Sequence, residues 1–196
     1  MTPSFDGRTG LSRRRFLTGA TALASLAVLP GFVEPKRNTG RFGVSSPTTV
    51  RFGSRARAGS IVVKTNDKRL YLVLGNGRAR RYTIAVGAAG RAFRGQGVIG
   101  RKAKWPRWTP TKNMIRREPG KYKKYASGVP GGPNNPLGAR ALYLFRGGRD
   151  TMYRIHGTNN PRSIGQAVSN GCIRMLNDDA KDLYTRVRVG ARVYVQ

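Results

Sequence analysis

The 196-residue chain has one histidine and one cysteine, and both fall within the stretch HGTNNPRSIGQAVSNGCIRM, His156 to Met175. A thiol is a useful nucleophile near neutral pH only when a neighbour lowers its pKa from about 8.5 or takes its proton, and an imidazole can do both. Between His156 and Cys172 there is room for a strand end, a short helical excursion through NNPRSIGQAV, and a return that sets the two side chains face to face. Gly171 directly precedes Cys172 and lets the backbone turn sharply, so that amides can point at a developing oxyanion. Gly157 directly follows His156 and leaves a carbonyl free to hold the other ring nitrogen. Either residue alone would be better read as part of a core. Two unique residues, each beside a glycine in a polar stretch, instead fit attack on an acyl group. A metal site fails on ligand count, because no second histidine or cysteine exists. The lone cysteine also forbids an internal disulfide.

These residues need a scaffold, and the sequence from Gly59 onward supplies strands for one. SIVVKTNDKRLYLVLGNGRARRYTIAVG alternates β-branched and aromatic residues with charges, predicting strands near 60–65, 69–74 and 80–86. Asn76-Gly77 lies between the last two, and both positions tolerate positive φ, the mark of a tight hairpin. A further strand is expected near 97–105. Thr109, Pro110 and Pro119 limit the next segment to a short helix at most, and Pro130 to Gly138 reads as a loop. ARALYLF and TMYRIHG are two more strands, with His156 at the end of the second, where a side chain can project into a cleft. NDDAKDLYTRV predicts a helix capped by Asn177, with Leu183 and Val187 on one face, and ARVYV closes the chain as a strand. The expectation is a mainly β domain with two or three short helices, a β-sandwich or mixed-sheet fold.

Thirty-eight Lys and Arg against eight Asp and Glu give a net charge of +30. Residues 1–58 carry ten basic and two acidic side chains, so +22 remains on residues 59–196. The excess is scattered, as at Arg69, Arg78, Arg140 and Arg188, which suits a general basic surface in an anionic medium rather than a sequence-reading nucleic-acid site. At the front, SRRRFL places Arg13 and Arg14 ahead of Phe16 and Leu17, followed by a mildly apolar stretch to Leu29. That pattern reads as a twin-arginine export signal over residues 1–35. The apolar stretch is too short to span a bilayer core of about 30 Å, so no stable membrane span is expected. Residues 36–58, rich in Arg, Ser, Thr and Gly without periodicity, read as a flexible basic linker. Residues 59–196 are then one domain.

HGT at 156–158 followed by SNGCIRM at 169–175 closely resembles the catalytic signature of the L,D-transpeptidase family of bacterial cell-wall enzymes. The resemblance extends through WTPT at 108–111 and NNPLGARALYL at 134–144, and so covers residues 59–196. It implies an L,D-transpeptidase catalytic fold and a cysteine enzyme acting on peptidoglycan stem peptides in the periplasm or cell envelope, without a cofactor. On this resemblance Cys172 is the nucleophile, His156 its base, and the Gly157 carbonyl the group that orients the imidazole. The amides of Gly171 and Cys172 form the oxyanion hole and Ser169 braces the loop. Arg174 either grips a substrate carboxylate or forms a structural salt bridge. Asn170 departs from the family pattern, where many members carry a second histidine, and so puts all proton transfer on His156. The implied reaction is attack on the diaminopimelate carbonyl of a tetrapeptide stem, release of D-alanine, and transfer of the acyl group to another stem, to water, or to an envelope protein. Stem peptides and wall polymers bear carboxylates, so the basic surface has an anionic partner without nucleic acid.

Overall fold

The computed structural model describes residues 44–88 and 93–196. The leader at 1–35 and the beginning of the linker lie outside the described residues. Strands β1 (Thr48–Arg51), β2 (Ile61–Lys64), β3 (Arg69–Gly75) and β4 (Arg78–Thr83) come first, followed by β5 (Val86–Gly87) and the long β6 (Gly95–Lys104). Two short helices, α1 (Lys112–Arg117) and α2 (Pro119–Tyr122), lead to the hairpin of β7 (Arg140–Arg146) and β8 (Arg149–His156). Then come β9 (Ala167–Ser169), β10 (Ile173–Arg174), helix α3 (Asn177–Arg186) and β11 (Arg192–Val195).

Nine strands form one mixed sheet in the order β1-β4-β3-β2-β11-β6-β7-β8-β10, and β5 pairs with β9 in a second, two-stranded sheet. Most neighbours in the large sheet are antiparallel, while β11 runs parallel to β2 and β10 parallel to β8. The strand-rich expectation with few short helices therefore holds. The hairpin at Asn76-Gly77 forms as its dipeptide requires, with φ of 49° and 66°. The strand expected over 80–86 is cut at Thr83. Ile84 and Ala85 leave the sheet, and Ala85 exchanges both backbone bonds with Arg174 at 2.9 Å.

The stretch 36–58 is corrected in part: it is not linker throughout, since Thr48–Arg51 is an edge strand, with Thr49 opposite Arg80 and Val50 opposite Ala79. Its β-branched residues suit a pleated strand, but only Val50 is even half-buried, so no alternation of apolar and polar residues marks it. The helix after Pro110 starts at Lys112 with Thr111 as its cap, whose hydroxyl accepts from the Met114 amide at 3.2 Å.

The core lies between the sheet and α3. Ile61, Leu70, Ile99, Leu144, Ile155 and Val193 point into it from six strands, and Leu183 and Val187 meet them from the helical side, all fully buried. Polar ties hold α3 in place. Asp182 accepts from Tyr82 Oη and Arg80 Nε, both at 2.7 Å, and Lys102 Nζ donates to the carbonyls of Tyr184 and Val187 at the end of the helix. Burial works against the Asp182 carboxylate, but its bonds from Tyr82, Arg80 and Arg186 outweigh that cost and hold its pKa below normal. If this packing fixes α3, Leu183→Ala should lower the unfolding free energy in urea by roughly 3 kcal/mol. Val189→Ala, at an exposed side chain, should change it by less than about 0.5 kcal/mol.

Candidate active site

His156 is the last residue of β8, and Cys172 stands immediately before β10. The two strands are parallel neighbours, with Ile173 opposite Ile155 and Arg174 opposite His156. That register places Cys172 level with Arg154, one strand spacing of about 4.8 Å across from β8 and two residues, roughly 6.6 Å, back from His156. Side chains two residues apart on a strand share a face. His156, Arg154, Cys172 and Arg174 accordingly all line one cleft of about 1220 Å³, together with Ser169 and Asn170. The excursion expected between the two residues is a 3-10 turn at Pro161–Ser163 followed by β9.

The imidazole of His156 is buried, and its Nδ1 lies 2.5 Å from the Gly157 carbonyl oxygen. A carbonyl can only accept, so Nδ1 carries the proton and Nε2 of the neutral ring is left bare. Cys172 is half-buried, with Sγ 3.9 Å from the Met152 carbonyl. Met152 has a φ of 63°, a left-handed value rare for such a side chain, in the strand segment facing the sulfur. The turn before the cysteine is braced by Ser169, whose hydroxyl donates to the Cys172 carbonyl at 2.6 Å and accepts from the Gly171 amide at 3.1 Å. Gly171 has a φ of 120°, a conformation side chains resist. Its amide, expected at an oxyanion, is thus directed to Ser169 instead. The loop closes on itself more tightly than the sequence suggested. Asn170 donates from Nδ2 to the Tyr122 hydroxyl at 2.8 Å, joining the cysteine loop to α2.

Charge in the cleft is one-sided. Among the described residues, Lys112, Arg117, Lys121, Lys124, Arg154 and Arg174 line it, against Glu118 alone. Arg154 is committed to both oxygens of Asp150, at 2.7 and 2.9 Å. Among the described residues no carboxylate pairs with Arg174, so of its two expected roles the structural salt bridge is not made there. Burial lowers the His156 pKa to about 3, and the Arg174 and Arg154 charges add to that, while the Gly157 and Leu137 carbonyls oppose it. Burial pushes the Cys172 thiol up, against the downward pull of the Arg154 amide and of the Arg154 and Arg174 charges. Both groups rest neutral near pH 7. The pair is thiol and imidazole, not a preformed thiolate and imidazolium.

Two residues at this site were not singled out from the sequence, and a third was given another role. Arg154 could have been, because it lies two positions before His156 on a strand and must share its face. Tyr122 gave no signal, being 48 positions from the asparagine it meets. Asn177 was expected as the cap of α3, but the cap position is Leu176 and no side-chain bond closes that end. Asn177 Oδ1 instead accepts from the amides of Ala139 and Thr158, at 3.0 and 3.1 Å.

A mixed sheet that sets one thiol and one imidazole on neighbouring parallel strands, open to a basic cleft, defines a domain built around a cysteine–histidine pair. The chain belongs to the YkuD family of L,D-transpeptidase catalytic domains, whose model matches residues 58–195. It is similar to the probable L,D-transpeptidase ErfK/SrfK of Escherichia coli K12, 40% identical over 152 residues that make up 76% of this chain and 45% of that protein. The chain thus spans under half the length of that relative. A Brucella melitensis crystal structure described as a probable carnitine operon oxidoreductase is 47% identical, covers 81% of this chain and 92% of its own, and superposes with a TM-score of 0.54. L,D-transpeptidase 3 from Mycobacterium tuberculosis shares the fold at 16% identity, with a TM-score of 0.50 over 70% of this chain and 60% of that one.

The buried ring makes a prediction about pH. His156 has a folded pKa of about 3 against 6.5 for an ordinary histidine, so between those values the unfolded chain binds a proton that the native one does not. Its stability contribution is complete above pH 6.5 and is lost as pH falls toward 3. The ring proton resonance of this single histidine should therefore stay at its neutral position from pH 8 down to 5. A midpoint near 6.5 in that NMR titration would mean the ring is solvated.

Proposed function

We propose that the protein is a peptidoglycan L,D-transpeptidase in which Cys172 is the nucleophile, His156 its general base, and the Gly157 carbonyl the group that orients the imidazole. The observation that carries this reading is the register of β8 and β10, which brings the single thiol and single imidazole to one face of one cleft. His156 Nε2 takes the Cys172 proton as sulfur attacks the carbonyl of the diaminopimelate residue in a tetrapeptide stem. Since both groups start neutral, the proton moves with the attack rather than before it. The Cys172 amide stabilises the oxyanion, while Gly171, its own amide held by Ser169, supplies the shape of the turn. The tetrahedral species collapses, the bond to the terminal D-alanine breaks, and the imidazolium returns its proton to the leaving amine. A thioester on Cys172 remains. Attack by the side-chain amine of a second stem gives a 3-3 cross-link, water gives a trimmed tripeptide, and an amine of an envelope protein gives anchoring.

Asn170 cannot carry a proton, so the scheme runs on one imidazole. Arg174, a half-buried cation in the cleft with no ion-pair partner among the described residues, is assigned to a carboxylate of the stem. The cationic lining suits the same substrate and supports its capture from an anionic wall. We place the protein in the periplasm or cell envelope, exported by the twin-arginine route through residues 1–35, on the strength of SRRRFL and of the family's substrate. No helix among the described residues is long and apolar enough to cross a membrane.

The oxidoreductase description of the Brucella structure prompts a second reading, because residues 95–100 read GQGVIG, the spacing of a dinucleotide-binding turn. That turn needs a strand, a tight bend and a helix N-terminus to meet a pyrophosphate. Here all six residues lie inside β6, between antiparallel neighbours β11 and β7. Their glycines serve packing: a Cβ at Gly100 would run into the Phe145 ring, and one at Gly97 would lie 3.0 Å from the Phe145 carbonyl. The transpeptidase reading is the one the cleft supports.

Incubation with disaccharide tetrapeptides, followed by mass spectrometry, tests it. The wild-type protein should show an acyl adduct on Cys172 and release D-alanine, and Cys172→Ala should do neither; equal products from both proteins would sink the assignment. Arg174→Gln should raise KM for the tetrapeptide by about tenfold or more, the worth of a charge-assisted hydrogen bond, with a smaller effect on a stem whose carboxylates are amidated.

A further inference from the structure

Asn177 opens α3 but does not cap it. Its Oδ1 accepts from two backbone amides outside the helix, those of Ala139 at 3.0 Å and Thr158 at 3.1 Å. The Thr158 amide belongs to the same peptide unit as the Gly157 carbonyl. In a planar trans peptide the C=O and N–H point to opposite sides, so a side chain that grips the N–H also aims the C=O. Here it is aimed at His156 Nδ1, 2.5 Å away.

The approach is built into the neighbouring sequence. A Cβ at Gly157 or at Gly138 would collide with Asn177 Oδ1, and Gly138 also has a φ of 61°. Glycine at both positions is what lets the amide oxygen reach two N–H groups at once. The Leu137 carbonyl also lies against the ring, and the other bonds around the histidine act elsewhere. The Met175 amide donates to the His156 carbonyl at 2.8 Å, and the Gly157 amide to the Arg140 carbonyl at 3.0 Å. These hold the course of the chain, and neither grips the Gly157–Thr158 peptide.

We propose that Asn177 is a positioning residue: by holding the Gly157–Thr158 peptide it keeps His156 in the tautomer protonated on Nδ1, with Nε2 bare to receive the Cys172 proton. The catalytic consequence rests on the reading of Cys172 and His156 as the reacting pair, whereas the tautomer is a property of the resting protein. The role resembles that of outer partners which fix the ring of a metal-ligating histidine, whose loss costs about 10–100-fold in function.

Because His156 is the only histidine, a long-range proton–nitrogen correlation spectrum of the 15N-labelled full chain reports one imidazole without assignment. Wild type should show the Nδ1–H tautomer alone. Asn177→Ala should show a mixture of tautomers and a kcat for acyl transfer about tenfold or more lower, with KM little changed. Asn177→Asp, which keeps an acceptor oxygen in place, should restore the single tautomer. A wild-type ring protonated on Nε2 would overturn the proposal with no variant needed, as would a folded Asn177→Ala protein whose tautomer matches wild type. A simple loss of packing would lower Tm in the alanine variant and leave the ring spectrum as it was. Failure of the wild-type protein to release D-alanine would defeat the transpeptidase reading instead, and the tautomer measurement would still decide the role of Asn177.

Discussion

The parallel pairing of β10 with the end of β8 sets the separation of the single thiol and the single imidazole, and the cleft depends on it. Parallel neighbours cannot be joined by a tight hairpin, because the chain must travel back before it can run alongside in the same direction, which takes a dozen or so residues. The stretch between His156 and Cys172 is that return path, so their separation in sequence follows from their adjacency in space. A ladder of two residue pairs is a weak fixture by itself. It is reinforced on both sides: Ala85 bridges Arg174, the Met175 amide reaches the His156 carbonyl, and β5 pairs with β9 just ahead of the cysteine loop.

Electrostatics at the cleft serve two ends that pull against one another. Cationic side chains suit a carboxylate-bearing substrate, and they also favour a thiolate while disfavouring an imidazolium. Burial opposes charge on either member of the pair. The outcome, a raised thiol and a depressed imidazole, leaves a neutral resting state. A free thiolate would be exposed to oxidation, and the neutral pair avoids that state.

Helix α3 links stability to the site. Its apolar side closes the core through Leu183, its middle is tied to β4 by Asp182, and its first residue reaches the peptide beside His156. A helix fixed this firmly along its length can hold one backbone carbonyl in place at its end. The nearby glycines 138 and 157 are the counterpart of that reach, since any side chain there would displace the asparagine.

The sequence by itself determined most of the elements and the candidate participants. Alternation marked the strands, Asn76-Gly77 the hairpin, and the two unique residues with their glycines the chemistry, because each of these signals is local and needs no partner to be read. It did not show β1, whose exposed edge carries no alternation, or the break at Ile84, where the chain leaves one sheet for another. Nor did it reveal that Asn177 turns away from its own helix, that the Gly171 amide is taken by Ser169, or that Tyr122 meets Asn170. Those are contacts between residues far apart in the chain or choices among several nearby acceptors, and only the packed structure ranks them. Which atoms could react was written in residue types; which way they point, and what charge they carry at rest, was decided by burial and by neighbours that the order of residues does not bring together.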